Sequence, residues 1–133
     1  MMVMRHCHGN SVIHVGDVCQ LTVDKLKTMV PVDLLIGGSL CNDFSIANPV
    51  RQRLKGASGQ LFYEFYQVLV QLQKLNPTDR HLYWLFENVA SMQPCVRQTI
   101  STFFECEATL WDAKQLQPLT DGESKIISSA YKK

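Results

Sequence analysis

Apolar residues in this chain form short unbroken runs as well as spaced stripes. Runs lie at Val12–Val15, Asp33–Ile36 and Leu82–Phe86, with a last one at Thr109–Trp111. Unbroken runs of this length are typical of strands that are buried on both faces, as in parallel sheets. The pattern therefore predicts four strands.

Helical spacing separates these runs. Thr22 before Val23-Asp24 predicts an N-cap with an acid in the first turn, and this helix is expected to end before Pro31. The segment from Gly59 to Leu75 carries one apolar helical face, made of Leu61, Phe65, Val68, Leu69 and Leu72. Another helical face consists of Val96, Ile100, Phe103 and Phe104. Alternating strands and helices predict an α/β fold with a mostly parallel sheet.

Other parts of the chain lack this periodicity. Residues 39–58 contain one glycine, one proline and two arginines, which predicts a long loop, and long loops in compact domains are often functional. Asn76–Asp79 predicts a turn. Residues 115–133 form a polar tail with a turn signal at Asp121-Gly122. No internal repeat is present.

Composition narrows the class of protein. A chain of 133 residues is long enough for one domain. With 46% hydrophobic and 19% charged residues it is globular rather than disordered in character. The formal charge of +1 excludes a strongly basic nucleic-acid arm but leaves a local binding patch open. No apolar run approaches the roughly 20 residues of a membrane span, and the first residues lack a signal-peptide pattern.

Cysteine usage predicts a reducing compartment. The number of cysteines is odd and no pair has CxxC spacing, so a disulfide framework and a zinc ribbon are both disfavoured. His6-Cys7-His8 suggests a metal, but adjacent side chains point in different directions and cannot by themselves close a tetrahedral site. We therefore expect no metal.

Three candidate functional residues lie in stretches that directly follow apolar runs, namely Gly16-Asp17, Gly37 to Cys41 and Glu87-Asn88. Ligands of open α/β sheets bind outside the carboxyl ends of the strands. Asp17 is placed to receive a hydroxyl or adenine amino group of a nucleotide, or simply to cap a turn. Glu87 is a candidate proton donor, or an ordinary glutamate at the start of a loop. Cys41 is a candidate nucleophile, or a small buried residue at the end of a strand.

Taken together, these three residues favour a reaction over separate structural roles. A thiol, a carboxylic acid and an adenine-binding acid on one rim predict attack on an aromatic ring with group transfer from a nucleotide-like donor. A Cys/His hydrolase is the weaker interpretation because no histidine is well placed as the base. A generic nucleotide-binding α/β module is a further alternative.

Three stretches resemble the DNA cytosine-5 methyltransferases. They are VGDV at 15–18, PVDLLIGGSLCNDFSIANPVRQRLKGASGQLFYEFY at 31–66 and LYWLFENV at 82–89. Within this family the sequence is most similar to the de novo (DNMT3-type) branch, and the resemblance extends from about Val3 to Lys114. It implies an incomplete Rossmann-like S-adenosylmethionine-dependent methyltransferase fold over residues 1–114, followed by an unmatched polar tail over 115–133.

The resemblance also implies roles for individual residues. Cys41 matches the nucleophile that adds to C6 of cytosine, and Glu87 matches the acid that engages N3 of the ring. Asp17 and Val18 match positions that hold the adenine of S-adenosylmethionine. The target base has to leave the DNA stack to be reached. The loop that approaches DNA contains Asn42, Ser45, Arg51 and Arg53.

Two helical features bear on partners. The Gly59–Leu75 helix carries a second stripe, made of Phe62, Tyr63, Tyr66 and Val70. This stripe predicts either a subunit contact, as the resemblance implies, or a helix buried on two sides. The resemblance further implies DNA as a partner, a nuclear location and no membrane association.

The sequence departs from the family in ways that affect activity. Leu40 stands where the family has a proline before the catalytic cysteine. The glycine-rich cofactor loop, the ribose-binding acid and a RARYFWGN-like strand have no match. We therefore expect a fragment or degenerate copy of a methyltransferase that does not methylate DNA as given. The alternative is a catalytically silent accessory subunit that binds a full-length methyltransferase.

Overall fold

The computed structural model describes residues 11–38, 57–89, 91–112 and 124–132. The helices are α1 (Val23–Lys27), α2 (Ala57–Leu75) and α3 (Pro94–Phe104). The strands are β1 (Leu34–Gly38), β2 (Leu82–Val89), β3 (Thr109–Asp112) and β4 (Ser124–Lys132). A short 3₁₀ helix at Val18–Gln20 precedes α1.

The four strands form one sheet in the order β1-β2-β4-β3. β1 and β2 are parallel, whereas β4 is antiparallel to both β2 and β3. The prediction of a mixed helix and strand fold is confirmed. The expectation of a mostly parallel sheet is confirmed only for the β1–β2 pair, because β4 is antiparallel to both of its neighbours.

Strand β4 lies in the segment that was predicted to be a polar tail without a strand. Its backbone pairs with β2 over residues 125–132 and with β3 over residues 124–127. The sequence SKIISSAYK has no apolar alternation to reveal it. Strand formation depends strongly on the neighbouring strands that supply hydrogen bonds, so a weak local pattern does not exclude it.

The Val12–Val15 run does not form a strand, and that prediction was wrong. In the described residues it has no regular structure, and Ile13 is 84% exposed. A β-branched run becomes a strand only when a neighbouring backbone pairs with it. None of the strand pairings described for this structure includes Val12–Val15.

Helix α1 confirms the capping prediction. The Thr22 hydroxyl accepts a hydrogen bond from the Lys25 amide at 3.4 Å, and Asp24 lies in the first turn. An acid there interacts favourably with the positive end of the helix dipole. The helix ends at Lys27, before Pro31, as expected.

Helix α2 packs on the β1–β2 pair with a face slightly rotated from the predicted one. Phe65, Val68, Leu69 and Leu72 are buried as expected. Phe62, which was assigned to the second stripe, is 0% exposed and belongs to the core, whereas Leu61 is only half-buried. The helix therefore buries a wider face than a single stripe.

Helix α3 covers the second stripe of α2. The Phe103 ring lies 5.5 Å from the rings of Phe62 and Tyr63 and 5.1 Å from that of Tyr66, centroid to centroid. Edge-to-face packing at these distances is favourable. This is the arrangement of a helix buried on two sides, and the subunit contact stays a prediction.

A buried amide ties the end of α2 to the start of β1. Asn76 Oδ1 accepts a hydrogen bond from the Val32 amide at 3.0 Å, and Asn76 Nδ2 donates to the Val32 carbonyl at 2.6 Å. Next to it, an exposed ion pair joins Arg80 and Asp33 with an N–O distance of 3.0 Å. These contacts fix where β1 begins relative to the helix.

Candidate active site

The carboxyl ends of β1 and β2 meet at one edge of the sheet because the two strands are parallel. The register pairs Gly37 with Phe86 and Gly38 with Glu87. Glu87 lies two residues before the end of β2 and is half-buried. As predicted from the two apolar runs, this glutamate therefore stands beside the end of β1, from which the chain continues towards Cys41.

The side chain of Glu87 lies against the backbone of Gly38. A Cβ atom added at Gly38 would be 3.1 Å from Glu87 Oε2 and 2.8 Å from the Glu87 carbonyl oxygen. Such a carbon would be closer to the carbonyl oxygen than folded proteins tolerate. The carboxylate of Glu87 thus occupies the space that a side chain at position 38 would need.

Asp17 caps the 3₁₀ helix. Its Oδ1 atom accepts a hydrogen bond from the Cys19 amide at 3.0 Å, which is the structural role considered for it from the sequence. A carboxylate has about four acceptor positions, so one capping bond does not exhaust its capacity. Asp17 also lines a cavity, together with Val18.

This cavity has a volume of about 420 Å³ and lies between the Val15–Leu21 segment, β1 and α2. Its walls are mostly aliphatic and aromatic, and it extends along β1 to Gly37 and Gly38. An apolar cavity with a few polar groups at its rim is typical of small-molecule sites. The cavity therefore connects the Asp17 cap to the edge of the sheet where Glu87 lies.

Several predicted site residues lie outside the described part of the chain. These are Cys41, Asn42, Ser45, Arg51 and Arg53, and the same holds for His6-Cys7-His8. Across residues 11–38, 57–89, 91–112 and 124–132, no group of three or more His, Cys, Asp or Glu side chains is arranged to hold a metal ion. Within those ranges, no helix is both long and apolar enough to cross a membrane.

Two thiols in the described ranges have raised pKa values. Loss of hydration, together with the nearby Asp17 carboxylate, raises the pKa of Cys19. Burial raises the pKa of Cys106, with a smaller contribution from Glu107. A raised pKa keeps a thiol protonated and therefore poorly nucleophilic.

Sequence analysis placed Gly37 and Gly38 in the stretch that leads to Cys41 but assigned them no role of their own. Their position directly after an apolar run was visible, but the identity of the atoms beside each glycine depends on strand register and helix placement. Leu61 and Phe65, which line the cavity from α2, were likewise assigned only to the core.

Comparison with known sequences identifies the family. The profile of the C-5 cytosine-specific DNA methylases matches residues 5–105. The chain belongs to this family. It is also 34% identical, over 64 residues, to the DNA (cytosine-5)-methyltransferase DRM1A of Oryza sativa subsp. japonica.

The similarity to the rice protein is local. It covers 44% of this chain and 14% of the relative, so the chain spans only a small part of that protein's length. The small parallel pair at the centre of the site is consistent with the fold of an S-adenosylmethionine-dependent methylase. Assignment to the de novo branch of the family stays a prediction.

Proposed function

We propose that this chain carries the cytosine-attacking site of a DNA cytosine-5 methyltransferase, on an incomplete Rossmann-like fold. The observation that carries the proposal is the position of Glu87 beside the end of β1 in a member of the methylase family. The reaction is methyl transfer from S-adenosylmethionine to C5 of cytosine in nuclear DNA.

Cys41 is the proposed nucleophile. It follows Gly38 by three residues, and three residues of chain span at most about 11 Å. Chain connectivity therefore keeps Cys41 near the edge where Glu87 lies. The thiolate forms a bond to C6 of the cytosine, and the electron pair of the C5–C6 double bond moves towards C5.

Glu87 is the proposed acid. It holds a proton at N3 as C6 is attacked, which stabilises the negative charge that would otherwise build up on the ring. After methylation, the C5 proton is transferred to water, and the electron pair of the broken C–H bond restores the C5–C6 double bond and expels the Cys41 thiolate. The ring then regains aromaticity and the cysteine returns to its starting state.

The cavity beside β1 suits the adenosine end of the cofactor. Its apolar walls match the faces of a purine, and the Asp17 carboxylate at its rim is an acceptor for an adenine amino group. Val18 lines the same wall. When bound, S-adenosylmethionine supplies the methyl group that C5 receives.

The proposed DNA contacts come from the segment that follows β1 in the sequence. Asn42, Ser45, Arg51 and Arg53 are the residues assigned to this role. Arginine contacts to phosphates position a duplex without reading its sequence. No preference for a cytosine context follows from these residues.

Adduct formation tests the nucleophile and the acid without needing the cofactor. The chain is incubated with a duplex that carries 2-pyrimidinone, an electrophilic cytosine analogue, at the target position, and adducts are separated on a denaturing gel. We expect a covalent band that Cys41→Ser abolishes and Glu87→Gln lowers at least tenfold, with Cys95→Ser as the matched control that changes nothing.

A band that survives Cys41→Ser contradicts the proposed nucleophile. A chain that forms no adduct but co-purifies with a full-length cytosine-5 methyltransferase supports the accessory role instead. The comparison requires that the unsubstituted chain and its variants are folded, which circular dichroism measures.

Calorimetry tests the cofactor site. One hydrogen bond to Asp17 contributes roughly 0.5–1.5 kcal/mol net, and covering about 100 Å² of purine adds roughly 2.5 kcal/mol. Their sum corresponds to a millimolar dissociation constant for S-adenosylmethionine, since 1 mM is about 4.1 kcal/mol. This agrees with the expectation that the chain as given has no turnover.

Two capping residues provide a matched pair for this measurement. Asp17→Ala removes a cap and a cavity acceptor, whereas Thr22→Ala removes a cap alone. We expect a three- to tenfold weaker affinity for the first variant and no change for the second. Micromolar binding by the unmodified chain, or equal effects of the two substitutions, contradicts the assignment.

A further inference from the structure

We infer that Gly38 is the positioning residue for the carboxylate of Glu87, an inference that rests on the proposed function. The two consecutive glycines at the end of β1 have different tasks. One leaves room for the core, and the other leaves room for the catalytic acid.

Strand alternation places the two glycines on opposite faces of the sheet. A Cβ atom at Gly37 would lie 2.6 Å from Cδ2 and 2.8 Å from Cε2 of Phe65. The Phe65 ring therefore packs directly onto the strand backbone. Gly37 is thus required by the packing of α2 against the helix-covered face of the sheet.

Among the described residues, Glu87 lies closest to the space beside Gly38. The three nearest heavy atoms to an added Cβ are the carbonyl oxygen, Oε2 and the carbonyl carbon of Glu87, at 2.8, 3.1 and 3.6 Å. The first and third atoms belong to the backbone, which cannot rotate away as a flexible side chain can. Any side chain at position 38 must displace both the end of β2 and the carboxylate.

The location gives this close approach a functional meaning. Gly38 is the last residue of β1, and the proposed nucleophile follows it by three residues. An acid resting on the backbone at this point is held at a fixed distance from the start of the segment that carries the nucleophile. Glycine is the residue that allows this contact, because it lacks the Cβ atom.

Two substitutions separate this role from a general effect on stability. Ile100→Ala removes core packing on α3, away from the site, whereas Gly38→Ala adds a methyl group beside Glu87. We expect Ile100→Ala to lower the urea midpoint while leaving the adduct rate per folded molecule within twofold. We expect Gly38→Ala to lower that rate at least tenfold under conditions where circular dichroism shows it folded.

Nuclear magnetic resonance provides a readout that does not depend on activity. In the unsubstituted chain, a nuclear Overhauser cross-peak is expected between the Hα atoms of Gly38 and the Hγ atoms of Glu87. Gly38→Ala should shift the Glu87 side-chain resonances, whereas Gly37→Ala should shift those of the Phe65 ring. Absence of the cross-peak in the unsubstituted chain overturns the inference, even if Gly38→Ala fails to fold.

The adduct assay and the cross-peak together distinguish failure of the proposed function from failure of the positioning role of Gly38. If Cys41→Ser and Glu87→Gln leave adduct formation unchanged, the proposed function is wrong, and the cross-peak alone decides the placement of Glu87 by Gly38. If those variants abolish the adduct while Gly38→Ala leaves both rate and cross-peaks unchanged, only the positioning role fails.

Discussion

The hydrogen bonds between Asn76 and Val32 should decide how firmly β1 is held in place. Asn76 is only 9% exposed, and its side chain satisfies both the amide and the carbonyl of Val32. Asn76→Ala removes both partners and leaves two backbone groups that water reaches poorly. Each such group costs roughly 1–3 kcal/mol when it loses its partner.

The expected loss for Asn76→Ala is therefore about 2–4 kcal/mol, allowing for partial access of water. With a urea m-value of about 2 kcal/mol/M for a domain of this size, the unfolding midpoint should fall by about 1–2 M. The measurement is urea unfolding followed by circular dichroism at pH 7. The m-value should stay constant, since the substitution changes stability rather than compactness.

Asn76→Asp is the matched variant because it has almost the same shape. Its carboxylate keeps an acceptor for the Val32 amide but places a second acceptor against the Val32 carbonyl. The destabilisation should persist at pH 7 and shrink as the pH falls towards about 4, because the protonated acid again offers a donor to the Val32 carbonyl. Losses below 0.5 kcal/mol for both variants would refute the role assigned to these bonds.

Two further predictions concern α2 and the thiols. Replacing Tyr63 and Tyr66 with lysine should lower the melting temperature, because the two rings pack on α3. The molecular mass measured by light scattering should stay the same. A reduced mass with an unchanged melting temperature would support the subunit contact instead. Cys19 and Cys106 should react with iodoacetamide at pH 8 more slowly than a peptide cysteine of ordinary pKa, since their raised pKa values lower the thiolate fraction. The difference in alkylation rate from the peptide cysteine should become smaller above pH 10. Equal rates at pH 8, measured by mass spectrometry, would contradict this prediction.

Local patterns predicted the elements whose signal lies within the element itself. The cap at Thr22, the helical face of α2 and the run that forms β2 are all visible in sequence because burial and capping act over a few residues. Val12–Val15 and β4 show the opposite case. Whether a segment becomes a strand depends on a partner elsewhere, and composition alone does not name that partner.

The candidate site also has some features that the sequence predicts and others that it does not. Because Glu87 and Gly38 each follow an apolar run, their meeting at the edge of a parallel pair was predictable from topology. The contact between them was not, since it requires the register of β1 against β2 to be known to a single residue. The cavity required the position of α2 as well, which no sequence pattern supplies.

The geometry of the site depends strongly on the register of β1 against β2. A one-residue slip of β1 would exchange the faces of its side chains. At this end of β1 a slip would bring Ile36 or Ser39 to a position where an added Cβ is crowded by Phe65 or by Glu87. A second restraint lies at the other end of the strand, where Asn76 holds Val32 and the Asp33 carbonyl accepts a hydrogen bond from the Tyr83 amide at 2.9 Å. Asn76→Ala should consequently weaken the cross-peak between Gly38 and Glu87, although it changes no atom near the edge of the sheet where Glu87 lies.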